Sequence, residues 1–231
     1  MTDNIRLNKY LADAGVCSRR EADRLIEEGK VTIDGIVASL GDKVIPSQIV
    51  VCDGISVNKK EETVVIAFNK PVGIECTTAK DVKDNIVDYI NYPTRIYPVG
   101  RLDKNSEGLI LLTDDGSLVN NILKASNYHE KEYIVRVDKK ITPEFIDKMS
   151  SGVPILETVT RPCVVTKVDE KTFKIILTQG LNRQIRRMCD HLGYKVLSLK
   201  RIRIMHIEIG NLKTGKYRTL SKNEIEELRV K

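Results

Sequence analysis

The sequence predicts an α+β chain of two domains, residues 1–58 and 63–231, the larger built on a largely antiparallel mixed sheet. Three observations lead there. Strand-like and helix-like segments follow one another without regular βαβ alternation, which argues against a parallel α/β sheet. The first sixty residues carry two short helical patterns and then several short strands split by Gly-Asp and Asp-Gly pairs. A polar run, Lys59-Lys60-Glu61-Glu62, separates them from a new apolar segment and reads as the linker.

Taken in order, Ile5, Leu7, Tyr10 and Leu11 stand at near-helical spacing, with a stop expected near Gly15. Ser18-Arg19-Arg20-Glu21 has the form of a capping box, so a second helix should start there. Ala22, Leu25 and Ile26 are its inward residues, and Gly29 ends it. Residues 30–35 read as a short strand entering an Asp-Gly turn, and 37–57 as further short strands broken at Gly41-Asp42 and Asp53-Gly54. A longer strand opens the second domain at Thr63–Phe68. Strands are then expected at 109–113, 132–137, 163–168, 172–178 and 202–209, and helices at 116–124, 142–150, 182–191 and 222–229.

Composition narrows the function. The 231 residues include no Trp and few aromatics, so the core rests on Ile, Leu and Val. No apolar run approaches the ~20 residues that span a bilayer, and the first ten residues lack a secretory apolar region. A cytoplasmic protein is expected, without a membrane partner. The five cysteines show no C-x-x-C pair, which favours reduced buried thiols over a zinc site or disulfides. No P-loop, G-x-G-x-x-G or metal cluster is present, so no cofactor and no metal is expected. The net charge of +6 is concentrated: residues 183–203 hold seven Lys or Arg against Asp190 alone, which suits a phosphate backbone. Residues 1–60, with nine basic and nine acidic side chains, are neutral, so any RNA contact there needs a segregated basic face.

The segment Tyr97-Pro98-Val99-Gly100-Arg101-Leu102-Asp103, continuing through Glu107-Gly108-Leu109-Ile110-Leu111-Leu112-Thr113, places one Asp in a turn that enters an apolar strand. An Asp in a loop is ordinarily a solvated turn residue. The wider pattern is more specific. About seventeen positions here resemble the signature of pseudouridine synthases, in the RsuA family that modifies single ribosomal RNA sites. Asn69-Lys70-Pro71-Val72-Gly73, His129-Glu130-Lys131-Glu132-Tyr133 and Asn182-Arg183-Gln184-Ile185-Arg186-Arg187 resemble its other motifs, in the family's order. Residues 4 to about 57 resemble the S4 RNA-binding domain, most specifically at Ser18-Arg19-Arg20-Glu21-Ala22.

Isomerising uridine requires breaking C1′–N1, rotating the base and joining C1′ to C5, which needs an ionised carboxylate and no redox partner. The resemblance makes Asp103 that carboxylate, as nucleophile or as the base that starts elimination. It makes Arg186 the partner of Asp103, since a neighbouring guanidinium favours the charged carboxylate. Arg183, Arg186 and Arg187 stand at i, i+3 and i+4, so one helix face would carry all three. Alternation over 132–137 puts Tyr133 with Val135 and Val137 on one face, and the resemblance gives Tyr133 the extruded uracil to stack on. Arg101 is expected to contact RNA or fill the space left by the flipped base, and Lys70 to reach a phosphate. Arg6, Lys9, Arg19, Arg20 and Arg24 form the RNA-facing set of the S4-like unit, with Arg183 and Arg187 as further phosphate contacts. His191 and His206 read as structural, and His129 as no base.

Within the family, residues 69–74, 152–156 and 179–184 most resemble the RluF-type branch, which acts on one uridine in domain V of 23S ribosomal RNA. Ribosomal RNA is thus the expected partner and a monomer the expected state. Four alternatives stay open: the RluB-type branch, a small-subunit ribosomal RNA target, a transfer RNA target, and an idle S4-type RNA-binding or assembly factor.

Overall fold

The computed structural model describes residues 4–58, 62–79 and 81–230. Residues 59–61 of the expected linker lie outside them. Two compact units divide the chain: Met1–Thr63 with Asp114–Gly116, and Val64–Thr113 with Ser117–Lys231.

The first unit runs β1 (Ile5–Arg6), α1 (Leu7–Asp13), α2 (Arg19–Glu27), β2 (Val31–Ile33), β3 (Ile36–Val37), β4 (Lys43–Val44), β5 (Val50–Cys52) and β6 (Ile55–Ser56). Four of these strands form an antiparallel sheet in the order β3-β2-β5-β6. Ser18 caps α2 by accepting the Glu21 N–H at 3.1 Å, which satisfies one of the donors a helix start leaves open. Leu7, Leu11, Ala22 and Ile26 are buried and Leu25 packs against them. Ile5 departs from the expected helix: it pairs with Val44 across β1 and β4. Its two-residue offset from Leu7 is strand spacing, and the Leu7 N–H already donates to the Asp42 carbonyl at 2.8 Å.

From residue 64 onward the elements are β7 (Val65–Lys70), α3 (Ile86–Ile90), β8 (Tyr97–Pro98), β9 (Glu107–Thr113), α4 (Gly116–Leu123), β10 (Lys131–Val137), α5 (Pro143–Ser151), β11 (Pro154–Ile155), β12 (Thr158–Val159), β13 (Val164–Lys167), β14 (Thr172–Leu177), α6 (Gln184–His191), β15 (Val196–Ile204), β16 (Ile207–Glu208), β17 (Tyr217–Thr219) and α7 (Lys222–Arg229). One sheet orders seven strands as β13-β14-β10-β15-β9-β7-β17, with β8 on β9 and β16 on β15. All pairings are antiparallel except β15 with β9.

The central strands are buried on both faces, which explains their unbroken apolar runs. Ile66, Phe68, Ile110 and Leu112 join one core cluster, while their neighbours Val65, Ala67, Leu109 and Leu111 join a second. The strand expected at 202–209 is displaced. Its long member, β15, starts at Val196, and a turn at Met205 (φ +51°) sets off the short β16. Lys200 and Arg201 mask the first half of β15, because a central strand rarely carries adjacent cations. The short elements α3, β8, β11, β12 and β17 give too few residues for a periodic signal.

Candidate active site

Asp103 sits in the loop between β8 and β9, and backbone bonds fix that loop at several points. The Val99 N–H donates to Leu111 O (2.8 Å) and the Ser106 N–H to Asp103 O (3.0 Å). Leu102 is buried and its N–H donates to the buried Cys76 Sγ (3.3 Å). The Gly73 N–H holds Lys104 O at 2.8 Å. Lys70 explains why the 71–74 turn keeps its shape. Its side chain is fully buried and its Nζ donates to Pro71 O and Ile74 O, each at 2.8 Å. Lys70 therefore does not reach a phosphate; burial pushes its ammonium below the ordinary lysine range, and it braces the turn beside Asp103.

Two guanidiniums meet the Asp103 carboxylate. Arg183 Nη1 lies 3.4 Å from Oδ2 and Arg186 Nε 3.6 Å from the same oxygen. Arg186 is the better anchored: its Nη2 donates to Asn105 O (2.9 Å) and Ser106 Oγ (3.0 Å), so it ties α6 to the Asp103 loop. The three arginines do not share one helix face. Arg183 precedes α6 as its N-cap, in a left-handed conformation (φ +50°), which turns its side chain toward Asp103. Arg187 folds back onto Asn182, donating to its backbone and side-chain oxygens at 3.0 Å each. Ile185 and Met188 fill the core from the other side of α6.

Tyr133 shares its face of β10 with Val135 and Val137, all buried in one cluster. Its ring borders a cavity of about 840 Å³ that also reaches Asp103, Arg101, Arg183 and Arg186. Arg101 is exposed at this cavity. His129 is buried, with Nδ1 3.3 Å from Ile122 O, a structural contact. Among the described residues the lining holds six cations, Arg101, Lys124, Lys131, Arg183, Arg186 and Arg201, and one carboxylate, Asp103. Such a site attracts a polyanion and isolates one negative group within it.

Sequence reasoning missed Arg201. It counted among the seven cations of 183–203 suited to a phosphate backbone, yet it is 4% exposed and lies 6.0 Å from the Tyr133 ring centroid. The charge of 183–203 is in fact dispersed, for Arg203 is bound by Glu130 (2.9 Å) and Glu132 (2.8 Å). No sequence signal distinguishes these two arginines, two residues apart on one strand.

In the first unit the expected basic set divides. Lys9 pairs with Asp13 at 2.7 Å, and Arg24 is held between Glu21 of its own helix and Glu28 at that helix's C-cap. These partners satisfy the two cations locally. Arg6, Arg19 and Arg20 are exposed without an ion pair among the described residues. There, too, no cluster of His, Cys, Asp or Glu is arranged to hold a metal, and no helix is long and apolar enough to cross a membrane.

Comparison with known proteins places this geometry. The RNA pseudouridylate synthase family model matches residues 64–191 and the S4 domain model residues 5–50. The chain is 53% identical over 227 residues to the dual-specificity RNA pseudouridine synthase RluF of Escherichia coli K12, covering 97% of this chain and 78% of the relative. Ribosomal large subunit pseudouridine synthase B of Bacillus subtilis is 37% identical, over 97% of this chain and 96% of its own length. A crystal structure of a pseudouridylate synthase superposes with a TM-score of 0.71 at 27% identity, over 97% of this chain and 99% of that one. The chain belongs to the RsuA family of RNA pseudouridine synthases, an S4 domain followed by a synthase domain.

Proposed function

We propose that this pseudouridine synthase acts, as a monomer, on one uridine in domain V of 23S ribosomal RNA, with Asp103 as the attacking carboxylate. The observation that carries the reading is Asp103 itself: one carboxylate in a cavity of six cations, flanked by Arg183 and Arg186. Arg183 and Arg186 meet it through the same oxygen, Oδ2, at the cavity wall. Tyr133 stacks on the flipped uracil and returns part of the few kcal/mol that unstacking costs. Arg101, at the exposed side, contacts RNA beside the extruded nucleotide. Arg6, Arg19 and Arg20 capture the RNA backbone through the S4 unit.

The 23S assignment draws on the E. coli relative, whose name gives it dual specificity for RNA, and on the B. subtilis relative, named for the large subunit. Mapping pseudouridines in unmodified large- and small-subunit ribosomal RNA and transfer RNA, after treatment with wild type or Asp103→Asn, tests the reading. One new signal in domain V, absent with the variant, is expected. Turnover by Asp103→Asn would overturn the nucleophile, and a signal confined to the small subunit or transfer RNA would overturn the target.

A further inference from the structure

We infer that Arg201 is a catalytic residue that holds the departing uracil, donating from Nη2 to a carbonyl oxygen of the base as that oxygen takes up negative charge. The inference rests on the reading above, in which Asp103 acts at C1′.

Arginine is rarely this buried unless a carboxylate accompanies it. Arg201 has no such partner among the described residues. Its Nε is committed to Leu109 O at 2.6 Å, and its Nη2 is buried without a hydrogen-bond partner. The same side chain lines the cavity beside Tyr133, where a stacked base would lie. Asp103 does not account for it, since Arg183 and Arg186 already supply that counter-charge. Lys131 adds a second cation to the lining, with Nζ donating to His129 O at 3.1 Å. Burial, and secondarily the charge of Arg201, brings its ammonium down to about 8. The wall beside Tyr133 is thus positive, with the Arg201 Nη2 unpartnered.

The reaction supplies a matching anion. When C1′–N1 breaks, its electron pair stays on the base, and conjugation spreads the charge from N1 onto O2 and O4. Asp103 supplies a pair to C1′ as that bond breaks. The base then turns and C5 bonds to C1′ as Asp103 leaves it. Finally C5 loses its proton and N1 gains one. Nothing is oxidised or reduced. A fixed donor aimed at the developing charge lowers the barrier to the first step without strengthening RNA capture.

The test is single-turnover kinetics of the full chain on two target RNAs, one with uridine and one with 5-fluorouridine at the site, read as loss of the N1-linked nucleotide. Fluorine stabilises the base anion by itself, so it should replace part of what Arg201 provides. Arg201→Gln is expected to lower the uridine rate roughly 100-fold or more with RNA Kd within about twofold. The loss on 5-fluorouridine should be roughly tenfold smaller. Arg201→Lys, which keeps the charge, should show the same substituent dependence at higher rates. Equal losses on both RNAs, a loss that tracks weaker binding, or failure of both variants to fold would make Arg201 structural and overturn the proposal. Asp103→Asn, run in parallel, separates the two readings: activity there removes the nucleophile whatever Arg201 does.

Discussion

Gly108 lies directly against the backbone of Arg201: a Cβ built on it would stand 2.2 Å from the Arg201 carbonyl oxygen. The pair is the parallel junction of β9 and β15, and Gly108 also has φ +105°. Strand separation and glycine are therefore one requirement at this point. Gly108→Ala is expected to destabilise the fold by roughly 3 kcal/mol, or about 10 °C in Tm for a chain of this size. Thermal unfolding followed by circular dichroism checks it; an unchanged Tm would refute the close packing.

Arg186 and Arg183 both meet Asp103, but only Arg186 also grips Asn105 and Ser106. Arg186→Ala should lower the single-turnover rate roughly 100-fold or more, and Arg183→Ala roughly tenfold, with little change in RNA affinity for Arg186→Ala. Equal losses in rate and affinity for Arg186→Ala would make it a phosphate contact instead.

Local ion pairs divide the basic residues of the S4 unit. Arg19→Ala and Arg20→Ala should weaken RNA binding and each reduce the salt slope by about one. Lys9→Ala and Arg24→Ala should change binding less than about twofold, because Asp13, Glu21 and Glu28 already hold those charges. Binding titrations at several salt concentrations decide between the pairs.

Glu224 closes the capping box of α7 with Ser221. Hydrogen bonding from Arg218, with help from the Ser221 N–H, holds its carboxyl down to about 2. Because the folded value is lowered, the stabilisation is full above the ordinary glutamate range near 4.5 and is lost as pH falls toward 2. Partial exposure screens it, leaving about 1–2 kcal/mol. Glu224→Gln should lose that amount at neutral pH and show a flatter acid limb in denaturant titrations.

The sequence made β7, β9, β10, β13 and β14, the four longer helices of the second unit and the Asp103 loop legible, because each carries a period or a motif, whereas β15, the longest strand, was read only at its end. Lys70 and Arg201 were misjudged for a common reason. A cation's charge is visible in sequence, but whether it faces water depends on strands far away in the chain. Arg201 is buried because β15 runs between β9 and β10, a pairing that no local pattern records. Arg183 was placed on the helix by counting, whereas its left-handed backbone sets it one residue ahead.

The position of β15 also governs when the enzyme can exist. β9 and β10 emerge from the ribosome early, yet they never pair with each other; the strand that joins them is completed only at Ile204. Loop closure over such separations is slow, and nothing shorter can bring Asp103, Tyr133 and Arg201 to one wall. Nascent chains that stop before Ile204 should therefore be inert toward RNA modification. Activity should appear late in synthesis and all at once, as the central strand slides home.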